Sequence, residues 1–164
     1  MADSMRRWLL MVAGTVVLVL GWTSFAGDAK AASWQGIEPL KTRRAEVVQI
    51  LGTPISQSPE GVLRFNVSGG SVQVSFADEK FVTTKRLRPE LAGTVLEIVL
   101  QHEHSSETVE SMNLPKNHNF VRDEVRNVAI FRNVKDGIVY TFIDGRLKTT
   151  RYTFADSQLA RSRR

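Results

Sequence analysis

The apolar and polar residues of this chain follow two periods, one typical of a helix and one typical of strands. Within residues 47–51, apolar side chains recur at three- and four-residue spacing, which predicts one apolar stripe on a short helix. Thr42 is the predicted N-cap, Glu46 suits the first turn, and Gly52 with Pro54 ends the helix. A helix of about nine residues does not persist alone, so we expect its stripe to pack against the strands that follow.

The strand-like alternation predicts two β-hairpins. Residues 62–76 alternate around Gly69-Gly70, and residues 138–154 alternate around Asp144-Gly145. Both dipeptides favour the type I′ turn, which needs positive φ at its two central residues. In residues 71–76 the apolar side chains share one face and the polar ones the other, so we expect a sheet with one solvated face.

Other segments complete the predicted architecture. Residues 94–104 and 125–132 each have the pattern of a strand, residues 81–89 resemble a connecting loop, and residues 107–112 a helical turn. Hairpins with few helices predict an α+β fold, in which an antiparallel sheet of about five to six strands carries the short N-terminal helix on one face. The helical turn at 107–112 is a candidate for a second helix on that face.

We expect one domain, residues 32–155, because a chain of this length can form a single core. Its two halves, about residues 34–104 and 106–154, each contain a tight hairpin and a long companion strand. The halves match by pattern and not by residue identity, so a diverged internal duplication is an alternative interpretation of this single domain. Residues 156–164 are rich in arginine and are predicted to form a flexible basic tail.

Residues 1–31 have the features of an export signal. Arg6-Arg7 precedes a compact apolar run, and small residues place a cleavage site after Ala26 or Ala31. An uncleaved membrane anchor is one alternative, and the paired arginines suggest a twin-arginine signal as another. We therefore expect an extracytoplasmic protein, periplasmic or secreted, that meets the membrane only if its signal is not cleaved.

Cysteine content and charge exclude several classes of function. The chain has no cysteine, which excludes disulfides, thiolate-bound zinc and a cysteine-linked lipid anchor. Residues 1–26 hold two arginines and one aspartate, so without them the formal net charge falls from +5 to +4. Arg161, Arg163 and Arg164 supply three of these charges. The remaining body is nearly neutral, and we expect no nucleic-acid partner.

The segment TRRAEVVQILGTP at residues 42–54 is similar to the helix motif of SmpA/OmlA-type domains, with a polar cap and a terminal Leu-Gly-x-Pro. Trp34 begins the opening W-x-x-I-x-P-L of a group of exported bacterial proteins, and residues 137–145 match their closing G-I-x-Y hairpin. The resemblance implies a small sheet with helices on one face, as in the barrel-assembly lipoprotein and the β-lactamase-inhibitor protein. It also implies a function in protein binding, although the missing cysteine departs from the lipoprotein branch.

Two further interpretations concern single residues. We expect Trp34 to pack over the helix and the sheet edge of its own domain, with a role as an interface anchor as the alternative. His102 and His104 are the candidate metal ligands, because residues two apart on a strand share a face. His118 is the candidate third ligand. The alternative is that the two histidines mark where a core strand emerges into solvent.

A basic cluster is the candidate partner-binding surface. It comprises Lys80, Lys85, Arg86 and Arg88. A solvated loop is the ordinary interpretation of such a cluster, and a docking surface for an acidic partner is the alternative.

No catalytic residue and no cofactor is assigned. The paired acids Asp78-Glu79 and Asp123-Glu124 stand at presumed strand ends, and no serine lies in a G-x-S-x-G context. We interpret the chain as a non-enzymatic, exported protein-binding module, related to the cell envelope or inhibitor-like in its action. The alternative is a small metal-binding protein or metal-dependent hydrolase that uses His102 and His104.

Overall fold

The computed structural model describes residues 32–164, so the predicted signal segment lies outside the described residues. Eight strands form one antiparallel sheet: β1 (Ser56–Gln57), β2 (Leu63–Val67), β3 (Gly70–Phe76), β4 (Val95–His102), β5 (Val121–Val125), β6 (Val128–Asn133), β7 (Ile138–Ile143) and β8 (Arg146–Thr153). Three short α-helices accompany them: α1 (Arg44–Leu51), α2 (Glu79–Thr84) and α3 (Asp156–Arg161). Two 3₁₀ turns lie at Pro89–Leu91 and Leu114–Lys116.

The strand order is β1-β2-β3-β4-β8-β7-β6-β5. Each half is therefore a four-stranded meander, and the two meanders meet where β4 pairs with β8 from Glu97–Thr153 to Gln101–Thr149. Read from either edge, the order of strands within a half is the same. This is the arrangement that two equivalent halves produce when their last strands pair antiparallel.

The α+β class and the antiparallel sheet agree with the prediction, but five to six strands was too few. The pattern at 125–132 predicted one strand, whereas the chain forms β5, a turn at Arg126-Asn127, and β6. The sequence of β5 is VRDEV, which lacks an alternation of apolar and polar residues, and the strand is exposed at every residue. Its pairing along β6 forms it instead. The two-residue β1 pairs similarly at the other edge.

One face of the sheet is covered in both halves. In antiparallel pairs, directly opposed residues lie on the same face, which assigns Phe65, Val72 and Ile98 to the covered face of the first half. Ile37 and Val47, both fully buried, pack on these side chains from the opening segment and from α1.

The second half has its own core on the same face. Val109 and Leu114 close over Phe131, Phe142 and Leu147. The predicted helical turn at 107–112 is present as hydrogen-bonded turns that lead into the 3₁₀ turn at Leu114–Lys116. An irregular segment therefore occupies the place that α1 holds in the first half.

Of the two predicted hairpins, one has the predicted turn and the other is shifted by one residue. Asp144 and Gly145 have φ values of +51° and +73°, as a type I′ turn requires. In the other hairpin Val67 pairs with Gly70, so the turn is Ser68-Gly69 and Gly70 belongs to β3. Gly70 is needed for a different reason, since a Cβ atom there would lie 1.9 Å from the carbonyl oxygen of Gln101.

Helix α1 forms where predicted, with two corrections. Arg43, not Thr42, is the N-cap, and its N–H donates to the Glu46 carboxylate at 2.6 Å. The Thr42 hydroxyl instead accepts from the Glu38 N–H at 2.9 Å. Within the stripe, Val47 is fully buried while Ile50 is 45% exposed. An eight-residue helix turns only a narrow stripe toward the sheet on which it packs.

The segments around the basic cluster are more ordered than predicted. The predicted loop at 81–89 contains most of α2, whose N-cap Asp78 accepts from the Phe81 N–H at 2.6 Å. The predicted flexible tail at 156–164 instead contains α3 and a bridge between Leu87 and Arg163. Leu159 of α3 packs on a small core that includes the fully buried Leu87. This apolar contact, which charge content does not reveal, orders the end of the described chain.

Candidate functional site

The second face of the sheet, here called the open face, contributes no residue to the three hydrophobic clusters of residues 32–164. It consists of the residues that alternate with the core positions, from Arg64 on β2 through Val99 on β4 to Val121 on β5. The sheet positions in the two main cores all come from the covered face. Eight strands at a spacing of about 4.8 Å make the open face about 34 Å wide.

The open face of the second half carries an apolar row next to the charged residues Asp123, Arg132 and Arg151. Val125, Val128 and Ile143 are opposed across β5, β6 and β7 and form a continuous row. Ile130 and Val139 extend this surface toward the centre of the sheet. On the edge strand, Val125 is 70% exposed. Contiguous β-branched side chains that remain in water are typical of an interaction surface.

The open face of the first half is polar. The Arg64 guanidinium donates to the Ser71 hydroxyl at 3.2 Å, and that hydroxyl donates to the Gln101 side chain at 3.5 Å. Asn66 and Gln73 lie on the same face. Ser71 is buried, so the amides of Asn66, Gln73 and Gln101 are the groups of this row that can bond to a partner.

The charged residues of the open face largely neutralise one another. Arg151 Nε lies 3.1 Å from the Glu97 carboxylate, and Arg132 forms an ion pair with Asp123. All four side chains belong to open-face positions. Because the charges of each pair cancel, these four side chains add no net charge to the open face.

The predicted basic cluster is divided by the fold. Lys85 and Arg86 line a cavity of about 410 Å³ together with Arg163 and Arg164. Arg88 instead lies 3.6 Å from the Glu90 carboxylate, and Lys80 is on the exposed surface of α2. The structure thus joins two of the four predicted residues to two arginines from the end of the chain.

The two candidate metal ligands are separated by their secondary structure. His102 is the last residue of β4, and its Nε2 lies 2.9 Å from the Thr150 hydroxyl. Burial lowers the pKa of His102 below its ordinary value of 6.5. His104 and His118 are exposed in the connection that follows. Within residues 32–164, no three His, Asp or Glu side chains are grouped as metal ligands.

Other predicted residues have local roles. Trp34 packs against the first core, as expected, and lines a small cavity of about 150 Å³ with His102. Among the paired acids, Asp78 caps α2 and Glu124 pairs with Arg122 at 2.6 Å. Among the described residues, no helix is long and apolar enough to cross a membrane.

Comparisons of the chain with protein-family models, with curated proteins and with solved structures found no match. The resemblance to SmpA/OmlA-type domains therefore stays a prediction from the motif at residues 42–54.

Sequence reasoning predicted a solvated sheet face but missed its apolar half. The sequence of β7 does not show which side chains face the core, because Ile138, Val139 and Tyr140 are consecutive and all largely apolar. Once the fold assigns Ile138 and Tyr140 to the covered face, Val139 is left on the open one. A signal was available: β-branched residues on both faces of a strand are unusual for a sheet with one solvated side.

Proposed function

We propose that this chain is an extracytoplasmic protein-binding module, without catalysis of its own, and that its binding surface is the open face of the sheet. The observation that supports the proposal is the apolar row formed by Val125, Val128 and Ile143 beside a hydrogen-bonding polar half. The row lies at one corner of the sheet, next to the edge and beside the turns at 126–127 and 144–145. It therefore supplies an apolar patch at one end of the proposed interface, and hydrogen-bonding groups follow along the remaining strands.

The size of the open face suits a stable interface. Seven strands have five to eight residues and reach about 20 Å, whereas β1 has only two. The seven longer strands give a projected area of about 580 Å². Standard interfaces bury about 800 Å² on each partner. Side-chain relief raises the accessible area above the projected one, and the face can therefore supply a standard interface without the surrounding loops.

The expected occupant is a different protein that presents a largely uncharged, apolar surface. The internal ion pairs Arg151–Glu97 and Arg132–Asp123 leave little net charge to attract an acidic or a basic partner. Binding would then be driven by burial of the valine and isoleucine side chains, which contribute about 25 cal/mol for each Å² removed from water.

The test is site-specific photocrosslinking of the full chain in its own host. A photoreactive side chain is placed at Ile130 or Val139 on the open face, and at Ile50 or Thr83 as exposed controls elsewhere. We expect both open-face positions to crosslink to the same protein and the control positions not to do so. Crosslinks at all four positions, or at none, would contradict the proposal.

The captured protein is then purified and its affinity measured by calorimetry. We expect Ile130→Lys to weaken binding at least about tenfold, and Ile50→Lys, a matched change on α1, to leave the affinity unchanged. Unfolding curves of both variants show whether each is folded. A crosslink that joins two copies of this chain would replace the proposed partner with self-association.

A further inference from the structure

The cavity lined by Lys85, Arg86, Arg163 and Arg164 concentrates positive charge beyond what the fold requires. Thr84 is the fifth lining residue, and no acidic side chain lines it. Its volume is about 410 Å³, and all five lining residues are exposed, so it is an open depression that can admit a small anion or a headgroup from solvent. Like charges held together repel one another, so the arrangement needs an explanation outside core packing.

Backbone contacts hold the two arginine-bearing segments side by side. The Arg164 N–H donates to the Arg86 carbonyl at 3.0 Å, and the Arg164 side-chain Nε donates to the Leu87 carbonyl at 3.0 Å. The Arg88 N–H donates to the Ser162 carbonyl at 3.0 Å. Since Leu87 is fully buried, these bonds hold the backbones of the two segments and the Arg164 side chain against a buried residue.

The neighbouring acids are engaged elsewhere. Asp78 accepts from the N-terminus of α2, and Glu90 lies beside Arg88. In the described part of the chain, no ion pair involves Lys85, Arg86 or Arg163. No acidic side chain among the described residues therefore compensates the cationic side chains of the cavity, which are exposed to water.

We propose that this cavity binds a phosphate-class oxyanion, carried either by a small soluble molecule or by a lipid headgroup. Guanidinium groups match phosphate through paired N–H donors in a fixed fork, and Lys85 adds a mobile point charge. The cavity is separate from the open face, so a test of anion binding there does not depend on the proposed protein-binding function.

Calorimetric titration of the full chain with pyrophosphate tests the site. The variant K85Q/R163Q removes one lysine and one arginine from the cavity but keeps the Arg164 bond to Leu87. The control R126Q/K148Q removes the same charges from exposed positions in the second half. We expect the cavity variant to weaken pyrophosphate binding about tenfold, with the control unchanged and both variants folded by circular dichroism.

Sedimentation with vesicles separates the two sources of phosphate. Phosphatidylglycerol vesicles are compared with phosphatidylcholine vesicles for the same two variants, so any contribution of residues 1–31 is common to both. A loss of phosphatidylglycerol binding confined to K85Q/R163Q indicates a headgroup. Equal vesicle binding, with pyrophosphate affinity lost only in K85Q/R163Q, indicates a soluble ligand. If neither probe distinguishes the two variants, the proposal is wrong.

Discussion

The two halves of the sheet have the same strand order but differ on both faces. On the covered face, the first half is closed by the α-helix α1, and the second by turns that place Val109 and Leu114 over the strands. On the open face, the first half carries the Arg64–Ser71–Gln101 polar row, and the second the Val125–Val128–Ile143 apolar row.

The comparison shows which features the architecture demands. Both halves bury a phenylalanine at the centre of the second strand of the meander, Phe65 in β2 and Phe131 in β6. The element that covers it can be a helix or a set of turns, because either removes the apolar surface from water. The open face has no such constraint, and there the halves diverge in polarity.

The largest expected effect concerns whether the halves fold together. Because β4 and β8 pair across the middle of the sheet, Phe65→Ala and Phe131→Ala should each lower the free energy of unfolding by about 3–5 kcal/mol. Chemical denaturation followed by circular dichroism should show one transition for both variants. A second transition in Phe131→Ala, with the first half still folded, would mean that the halves are separate units.

Glycine has a different function in the two hairpins. Gly70→Ala needs a shift of the β4 backbone at Gln101 and should cost about 2–4 kcal/mol. Gly145→Ala has no atom within 4 Å of the added methyl group and should cost about 1 kcal/mol, from its positive φ alone. Thermal denaturation of both variants measures the difference. Equal losses would indicate that Gly70 is a turn residue only.

The helix of the first half can be tested with a pair of neighbouring residues. Val47→Ala removes fully buried methyl groups and should cost about 1–2 kcal/mol. Ile50→Ala, at 45% exposure, should change stability by less than about 0.5 kcal/mol. Urea denaturation gives both values. A larger loss for Ile50→Ala would place the opposite side of α1 against the sheet.

The smallest effect concerns His102, which joins the halves through its contact with Thr150. Burial lowers its folded pKa below the unfolded value of 6.5, so below pH 6.5 the unfolded chain binds more protons than the folded one. The contribution of neutral His102 to the free energy of unfolding is therefore fully present above pH 6.5. It is lost as the pH falls from 6.5 through the folded pKa. His102→Gln should flatten this decline in urea denaturation, whereas His118→Gln, at an exposed position, should retain it.

Sequence patterns predicted the parts of this fold that depend on neighbours along the chain. The type I′ turn was predicted from Asp144-Gly145, because both central residues of such a turn have positive φ and few residue pairs adopt that conformation. The burial of Val47 and the end of α1 at Gly52 follow from local spacing and capping. The N-cap was misplaced because the Thr42 hydroxyl bonds back to Glu38, a contact of the preceding turn.

The candidate sites depended on contacts between distant segments. The cluster at 80–88 was visible as a run of charge, but its union with Arg163 and Arg164 requires the docking of α3 on Leu87. His102 and His104 shared a predicted strand, and only the actual end of β4 separates them.

The sequence by itself determined the class of fold, one helix and the solvated character of one sheet face, since propensity, capping and alternation act over a few residues. The tertiary structure decided the number of strands, the pairing of β4 with β8 and the position of every candidate site. Edge strands such as β5 form because they hydrogen-bond to a partner strand. The residues within such a strand do not by themselves predict that pairing. The apolar row and the basic cavity are both products of such long-range pairing.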